Sequence, residues 1–322
     1  ISQDLDTDNF WVPGLHISGQ SGLDLVAFLN SHTGVMATFT QGQATASQGD
    51  VMAAFSSRGG PGQRLGVSKP DITAPGVQIL AGQTPLPATT TAGPQGQLFM
   101  AIQGTSMSSP HIAGAGALLK ALHPNWTPGQ IKSAIMTTAK VQGVVKEDGY
   151  PANAFDYGSG RVDLNYAGNP GLTFDESAAD YVALKDQLWN ANYPSLYIPV
   201  MPGRITVSRT VHNELNKKVE WKLDVTAPAD VKVTVPRELK VGPNADATFQ
   251  ITVDAGMVPL GQVRFATLQL RTDELGSGND GHRDAIDAAG GSNPGKPGDG
   301  GKKTRTLVFP ITLVRKQPVV SL

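Results

Sequence analysis

The chain has 322 residues, room for two ordinary domains at about 150 residues each. Its 26 basic and 27 acidic side chains leave a net charge of −1, which gives no electrostatic case for binding nucleic acid or an anionic membrane surface. It contains no cysteine, which excludes disulfides, thiolate metal sites and cysteine catalysis.

From the start, Phe10–Val12 reads as a strand, with a helix after it because Leu23, Val26, Ala27 and Leu29 recur at helical spacing. Val35–Phe39 reads as extended. Residues 51–82 are short apolar runs broken by Gly and Pro, and 83–97 should be a loop. A helix is predicted from near Ser106 to about Leu122, and its run of small residues, Ala113–Ala117, predicts burial against close-packed backbone. A second helix has a full start signal: Thr127 to cap, Pro128 for the first position and Gln130 to close a capping box. Ile131, Ala134, Ile135 and Thr138 share its face.

From about residue 196 the apolar period becomes two. Ile205–Val211, Val219–Val225, Val231–Val235, Ala247–Val253, Val263–Leu270 and Thr306–Val314 alternate apolar and polar, as in a two-sheet sandwich. Gly276–Lys303 is rich in Gly, Asp and Lys and reads as a long flexible loop between two of these strands. No window offers the roughly 18 apolar residues of a membrane-spanning helix.

The run that carries chemistry is Gly104-Thr105-Ser106-Met107-Ser108-Ser109-Pro110-His111. A serine hydroxyl is a poor nucleophile and needs a base to take its proton. Ser106 stands where a loop becomes a helix, so its own N–H lacks an intrahelical partner and can point at a developing oxyanion, assisted by the helix dipole. Gly104 allows close approach of a substrate backbone, and Pro110 is placed in the first turn, where proline is tolerated. His111 is five residues further on, a net rotation of about 140°, so it does not share a face with Ser106.

With this run the chain resembles the subtilisin-like serine proteases, nearest to members with a protease-associated insert and a C-terminal fibronectin-III-like domain. Phe55–Gly59, Lys69–Gly76, His123–Pro128, Ser133–Ala139, Phe155–Gly160, Asn169–Leu172, Asn192–Ser195 and Arg209–Asn213 also resemble family segments. The resemblance implies that Ser106 is the nucleophile, that Gly104 and Thr105 shape its loop, and that His111 is structural. It implies α/β architecture, a partial three-layer parallel-sheet domain, followed by an all-β sandwich. The expected divisions are 1–48 as the end of the insert, 49–180 as the C-terminal part of the catalytic domain, 181–194 as a linker and 195–322 as the sandwich with loop 276–303.

Such a hydrolase needs Asp, His and Ser on separate segments in that chain order; subtilisin is the worked case of the general rule. The family brings them as Asp-Thr/Ser-Gly and His-Gly-Thr, with an oxyanion Asn in Gly-Asn-x-Gly, and none of these motifs occurs in this sequence. Asp6-Thr7-Asp8 and His32-Thr33-Gly34 are imperfect imitations, separated by only 25 residues. The resemblance places His16 in a strand of the insert, His123 in a turn, and His212 and His282 in the β part.

The expectation is therefore a C-terminal fragment of an extracellular serine endopeptidase, acting through an acyl-enzyme on Ser106 and inactive alone, with Ile1 falling inside the insert. Two alternatives stay open: a non-catalytic scaffold that binds through the sandwich, and one half of a split protease completed by its own upstream part. The expected partner is a protein or peptide substrate, with no nucleic acid and no membrane. No cofactor is expected; calcium occurs in the family, but Asp156, Asp163 and Asp175 lack metal-ligand spacing.

Overall fold

A computed structural model describes residues 14–41, 43, 46, 48–63, 66–88, 95–273 and 304–316. Phe10–Val12, Asp6–Asp8, His282 and the 276–303 loop lie outside these. The chain folds into two compact units, one built from 1–56, 74–111 and 143–151, the other from 57–73, 112–142 and 152–322.

The first unit opens with helix α1 (Gly19–Ser31), whose Ser18 cap accepts a hydrogen bond from the Ser21 N–H. The helix has no buried residue, and Leu23, Val26 and Phe28 face outward. His16 and Val35–Phe39 are not in strands; both lie in irregular chain. Strands β1 (Ile79–Gly82) and β2 (Phe99–Ile102) pair antiparallel, Ile79 opposite Ile102. Helix α2 (Thr105–Leu122) follows, and the division between the units falls inside it.

In the second unit α2 runs on towards α3 (Pro128–Thr137). The capping box forms as the sequence requires: Thr127 Oγ1 accepts from the Gln130 N–H and Gln130 Oε1 from the Thr127 N–H, both at 3.0 Å. Ala115, Leu119, Trp126, Ala134, Ile135 and Ala167 make a small core here. The expectation that α2 is buried along its length fails. Ala115 and Leu119 are its buried residues, while Leu118 is 65% exposed. The small residues make room for neighbours on every side, but among the described residues only one side has them.

Asn153 caps the short α4 (Ala154–Tyr157), and Gly158 turns the chain out of it at φ 69°. Next come β3 (Leu172–Thr173), α5 (Ala178–Leu184) and 3-10 turns over Lys185–Asn190. These last two elements overlap the stretch 181–194 expected as a linker. It is mostly helical and packed, with Ala191 and Tyr193 buried against Met136.

The sandwich then adds β4 (Leu196–Met201), β5 (Arg204–Asn213), β6 (Val219–Thr226), β7 (Lys232–Thr234), β8 (Glu238–Val241), β9 (Asp246–Asp254), β10 (Val263–Thr272) and β11 (Arg305–Arg315). One sheet has the order β4-β11-β10-β6-β8, the other β3-β5-β9-β7. Inward positions such as Val207, Trp221, Ile251, Leu268 and Phe309 fill the core between them. All six strands read from period two are present. The sandwich also takes in Leu172 and Thr173, upstream of the expected start at 195.

An α/β part followed by an all-β sandwich is the architecture observed. The partial parallel sheet reduces, among the described residues, to isolated parallel bridges, Val51 with Val145 and Thr73 with Arg161. The β1–β2 pair is antiparallel.

Candidate active site

Strand β2 delivers the chain to Gln103 and Gly104, and α2 begins at the next residue. Gly104 adopts φ 154°, a conformation that a side chain resists. Its N–H donates to the Gly76 carbonyl at 2.8 Å, and its own carbonyl accepts from the Met107 N–H at 2.9 Å. A Cβ on Gly76 would stand 2.2 Å from Ser108 Oγ and 2.9 Å from the Gly104 oxygen, so this crossing admits only glycine. The two segments that the sequence singled out, 69–76 and 104–111, therefore meet at Gly76 and fix the loop ahead of the serine.

Thr105 and Ser106 are exposed. Ser106 is the second residue of α2, and no helical carbonyl lies one turn before it to accept its N–H. Pro110 lies five residues after Thr105, in the second turn and not the first as the sequence suggested. It carries no N–H, so the Ser106 carbonyl loses its i+4 donor.

Four of the described histidines bond to other groups. Nδ1 of His111 donates to the Met107 carbonyl at 2.7 Å, one turn back along α2. His32 closes the end of α1, its Nδ1 2.9 Å from the Phe28 carbonyl, and stacks on that ring. His123 Nε2 donates to the Gly168 carbonyl at 2.6 Å and stacks on Trp126. His212 Nδ1 lies 2.7 Å from Asp246 Oδ1 in the sandwich. His16 is exposed in the irregular chain ahead of α1. Thus Gly104, Thr105 and Ser106 are brought together with Gly76, while His32, His111, His123 and His212 are each bonded to a group other than Ser106. No group of three His, Cys, Asp or Glu among the described residues is arranged to hold a metal ion. No described helix is long and apolar enough to cross a membrane.

Sequence reasoning missed two polar clusters in the second unit. In the first, Asp71 accepts from Lys69 Nζ at 2.6 Å and from Lys132 Nζ at 3.1 Å on Oδ2, while Tyr193 Oη donates to Oδ1. Lys132 also lies over the Tyr193 ring, 4.8 Å from its centre. Burial pushes the Asp71 carboxyl up, but Lys132, Lys69 and Tyr193 outweigh it and hold it below its ordinary 3.8. Burial and the neighbouring Asp71 charge push the Tyr193 phenol up.

In the second cluster, Glu214 receives three neutral donors: Trp126 Nε1 at 2.9 Å, Gln130 Nε2 at 3.0 Å and Thr173 Oγ1 at 2.5 Å. Nothing in the local sequence marks Glu214. Asp71 and Tyr193 sit in quoted family segments, but pairing across 122 residues is invisible to spacing. An apolar groove of about 560 Å³ runs between α2 and α3, lined by Ile72, Ile112, Trp126, Ile131 and Ile135.

Residues 24–160 match the subtilase family and residues 190–277 the fibronectin type-III domain. Subtilisin-like protease SBT5.4 of Arabidopsis thaliana is 34% identical over 77% of this chain and 36% of its own length. Subtilisin-like protease SBT5.3 of the same plant is 36% identical over 66% of this chain and 32% of its own length. Subtilisin-like protease SBT4.7 is 38% identical over 60% of this chain and 28% of its own length. The chain spans about a third of the length of the curated relatives it matches. Among solved structures, the E. coli chaperone DraB matches 40% of this chain and 55% of its own at 13% identity, with a TM-score of 0.25.

Proposed function

The chain belongs to the subtilase family, with a fibronectin type-III domain after the protease segment, and from that premise we propose that it supplies the nucleophile of a subtilisin-type serine endopeptidase. The observation that carries this is the placement of Ser106. It is exposed, on the second residue of α2, behind a Gly104–Gly76 crossing too tight for any side chain.

Ser106 Oγ attacks the carbonyl carbon of a peptide bond, and its proton passes to a histidine outside these 322 residues. The tetrahedral intermediate carries its negative oxygen towards the Ser106 N–H at the positive end of α2. Collapse expels the amine, which takes the proton, and leaves an acyl-enzyme that water hydrolyses. Gly104 and Thr105 hold the loop, and His111 stays bonded to Met107 as a helix element. The substrate is a protein or peptide, and the enzyme works outside the cell. The divisions 1–48, 49–180 and 195–322 are proposed as insert end, catalytic segment and sandwich, the last with β3 added.

The test is labelling by a fluorophosphonate probe, which reports an activated serine. The 322-residue chain alone is expected not to label. The longer protein that contains it is expected to label and to lose the label in Ser106→Ala. Unchanged labelling of Ser106→Ala in that longer protein sinks the assignment. Labelling of the isolated chain sinks the claim that its base lies elsewhere.

A second reading, in which a separate polypeptide completes the chain, is favoured by the groove between α2 and α3. Among its lining side chains, Ile72, Ile112, Ile131 and Ile135 are apolar. An isolated chain that is monomeric, folds cooperatively and binds no hydrophobic dye contradicts it.

A further inference from the structure

Beside the Asp71 cluster the second unit encloses a cavity of about 10 Å³, with Ser68, Asp71, Ser159, Ser195 and Thr312 among its lining residues. That is about the space of one water-sized sphere. Two side chains on its wall have an unmet need. Ser68 Oγ and Ser159 Oγ are buried without a hydrogen-bond partner among the described residues. Ser68 is 8% exposed and Ser159 1% exposed, so bulk solvent does not satisfy either. Buried hydroxyls left unpaired are costly and rare in native proteins, and ordered water is the usual remedy.

The walls also decide what the occupant is. Both oxygens of the Asp71 carboxylate are already engaged, Oδ1 by Tyr193 and Oδ2 by Lys69 and Lys132. Asp71 is the one carboxylate on this wall, no group of three His, Cys, Asp or Glu among the described residues is arranged to hold a cation, and the volume is too small for any organic ligand. The hydroxyls come from two segments that already approach closely. The Ser159 N–H donates to the Asp71 carbonyl at 2.9 Å, and Gly158 leaves no room for a Cβ against Pro70 and Asp71.

We propose that this cavity is a binding site for a single structural water molecule that bridges Ser68 Oγ and Ser159 Oγ. The water is the polar link between the 66–73 segment and the turn after α4, against a wall formed by Ser195, Leu196, Pro310 and Thr312 of the sandwich side. It makes Ser68 and Ser159 one energetic unit although no hydrogen bond among the described residues joins either hydroxyl to the other's segment.

A crystal structure of the chain at about 1.8 Å tests this directly. One density peak is expected, within about 2.6–3.2 Å of both hydroxyl oxygens. An empty cavity, or a direct bond from either hydroxyl to protein, overturns the proposal. A peak ringed by six or more oxygens at about 2.3–2.6 Å also overturns it, because that is a calcium-like cation. Ser68→Ala, Ser159→Ala and the double variant give a second readout. The melting shift of the double variant is expected to be smaller than the sum of the single shifts, since the first loss already loosens the water. A sum that matches the double overturns the bridge, and the density test stands whatever the variants' folding yield.

Discussion

Glu214 ties the α3 start to the sandwich, and the tie has a measurable size. Its carboxylate accepts from the Trp126 indole, the Gln130 amide and the Thr173 hydroxyl, at 2.9, 3.0 and 2.5 Å. Hydrogen bonds to an ionised acceptor contribute about 1.5–3 kcal/mol each when one partner is removed from a buried site. Here the site is part-buried, so water replaces some of what is lost. Glu214→Ala is therefore expected to cost about 2–4 kcal/mol in total. Glu214→Gln is the sharper perturbation, because the shape stays and one acceptor becomes a donor. Its amide cannot accept from three donors at once, and an N–H is forced against an N–H, at about 1–3 kcal/mol. Urea titration followed by tryptophan fluorescence measures both. A cycle with Trp126→Phe isolates the indole bond and should return a coupling of about 1 kcal/mol or more. The reasoning is wrong if Glu214→Gln matches the parent within about 0.5 kcal/mol, a change typical of surface positions.

Thr127→Ala removes the acceptor of the Gln130 N–H and is expected to lower stability by about 1 kcal/mol, read as a drop in Tm. Gly158→Ala places a Cβ 2.4 Å from the Pro70 oxygen and the Asp71 carbonyl carbon at φ 69°, so a loss of about 3 kcal/mol or more, or failure to fold, is expected in the same melt. The Asp71 carboxyl is held below 3.8 in the folded chain, so its stabilisation is full above that value and fades as pH falls through the lower folded value. Asp71→Asn should lose about 1–2 kcal/mol at pH 7, the lysine pairs counting little because both ammonium groups are substantially exposed. The variant's stability should also vary less with pH below about 4, which urea titrations at several pH values will show.

The sandwich strands were legible because each has one buried face, and burial imposes period two on the sequence. Leu196–Met201 escaped that rule because it is buried on nearly all sides, and its residues carry no alternation. The α3 start was legible because a capping box is local, complete within Thr127–Gln130. Burial of α2 was misread for the opposite reason. Small residues record that something packs there, but the partner is a property of the whole fold. The same limit hid Glu214, whose donors come from residues 84 and 88 positions away in two cases. Several quoted family segments turn out to be where polar side chains clasp the backbone. Arg209, 1% exposed, donates to the Tyr193, Trp189 and Ser195 carbonyls, and burial brings its guanidinium down to about 10. Asn213 Nδ2 donates to the Lys217 and Gly242 carbonyls. Spacing in the sequence could not show which backbone oxygens these two side chains would hold.

Strand β3 decides where the sandwich begins. A boundary at 195 cuts away β3, and β3 is part of the core. Leu172 and Phe174 are both fully buried in the sandwich cluster, and Thr173 pairs with His212 across the β3–β5 edge. Burying a leucine or phenylalanine side chain contributes about 1.5–3 kcal/mol. A piece starting at 195 should therefore be about 3–6 kcal/mol less stable than one starting at 168, before any loss of backbone pairing is counted. It would also uncover the Phe309 ring, against which Phe174 packs at 5.5 Å between ring centres. Guanidinium titration of the two pieces, 168–322 and 195–322, decides between a self-sufficient sandwich and one completed from upstream. Equal stability within about 1 kcal/mol would mean that β3 only leans on the sandwich and that 195 is the true edge.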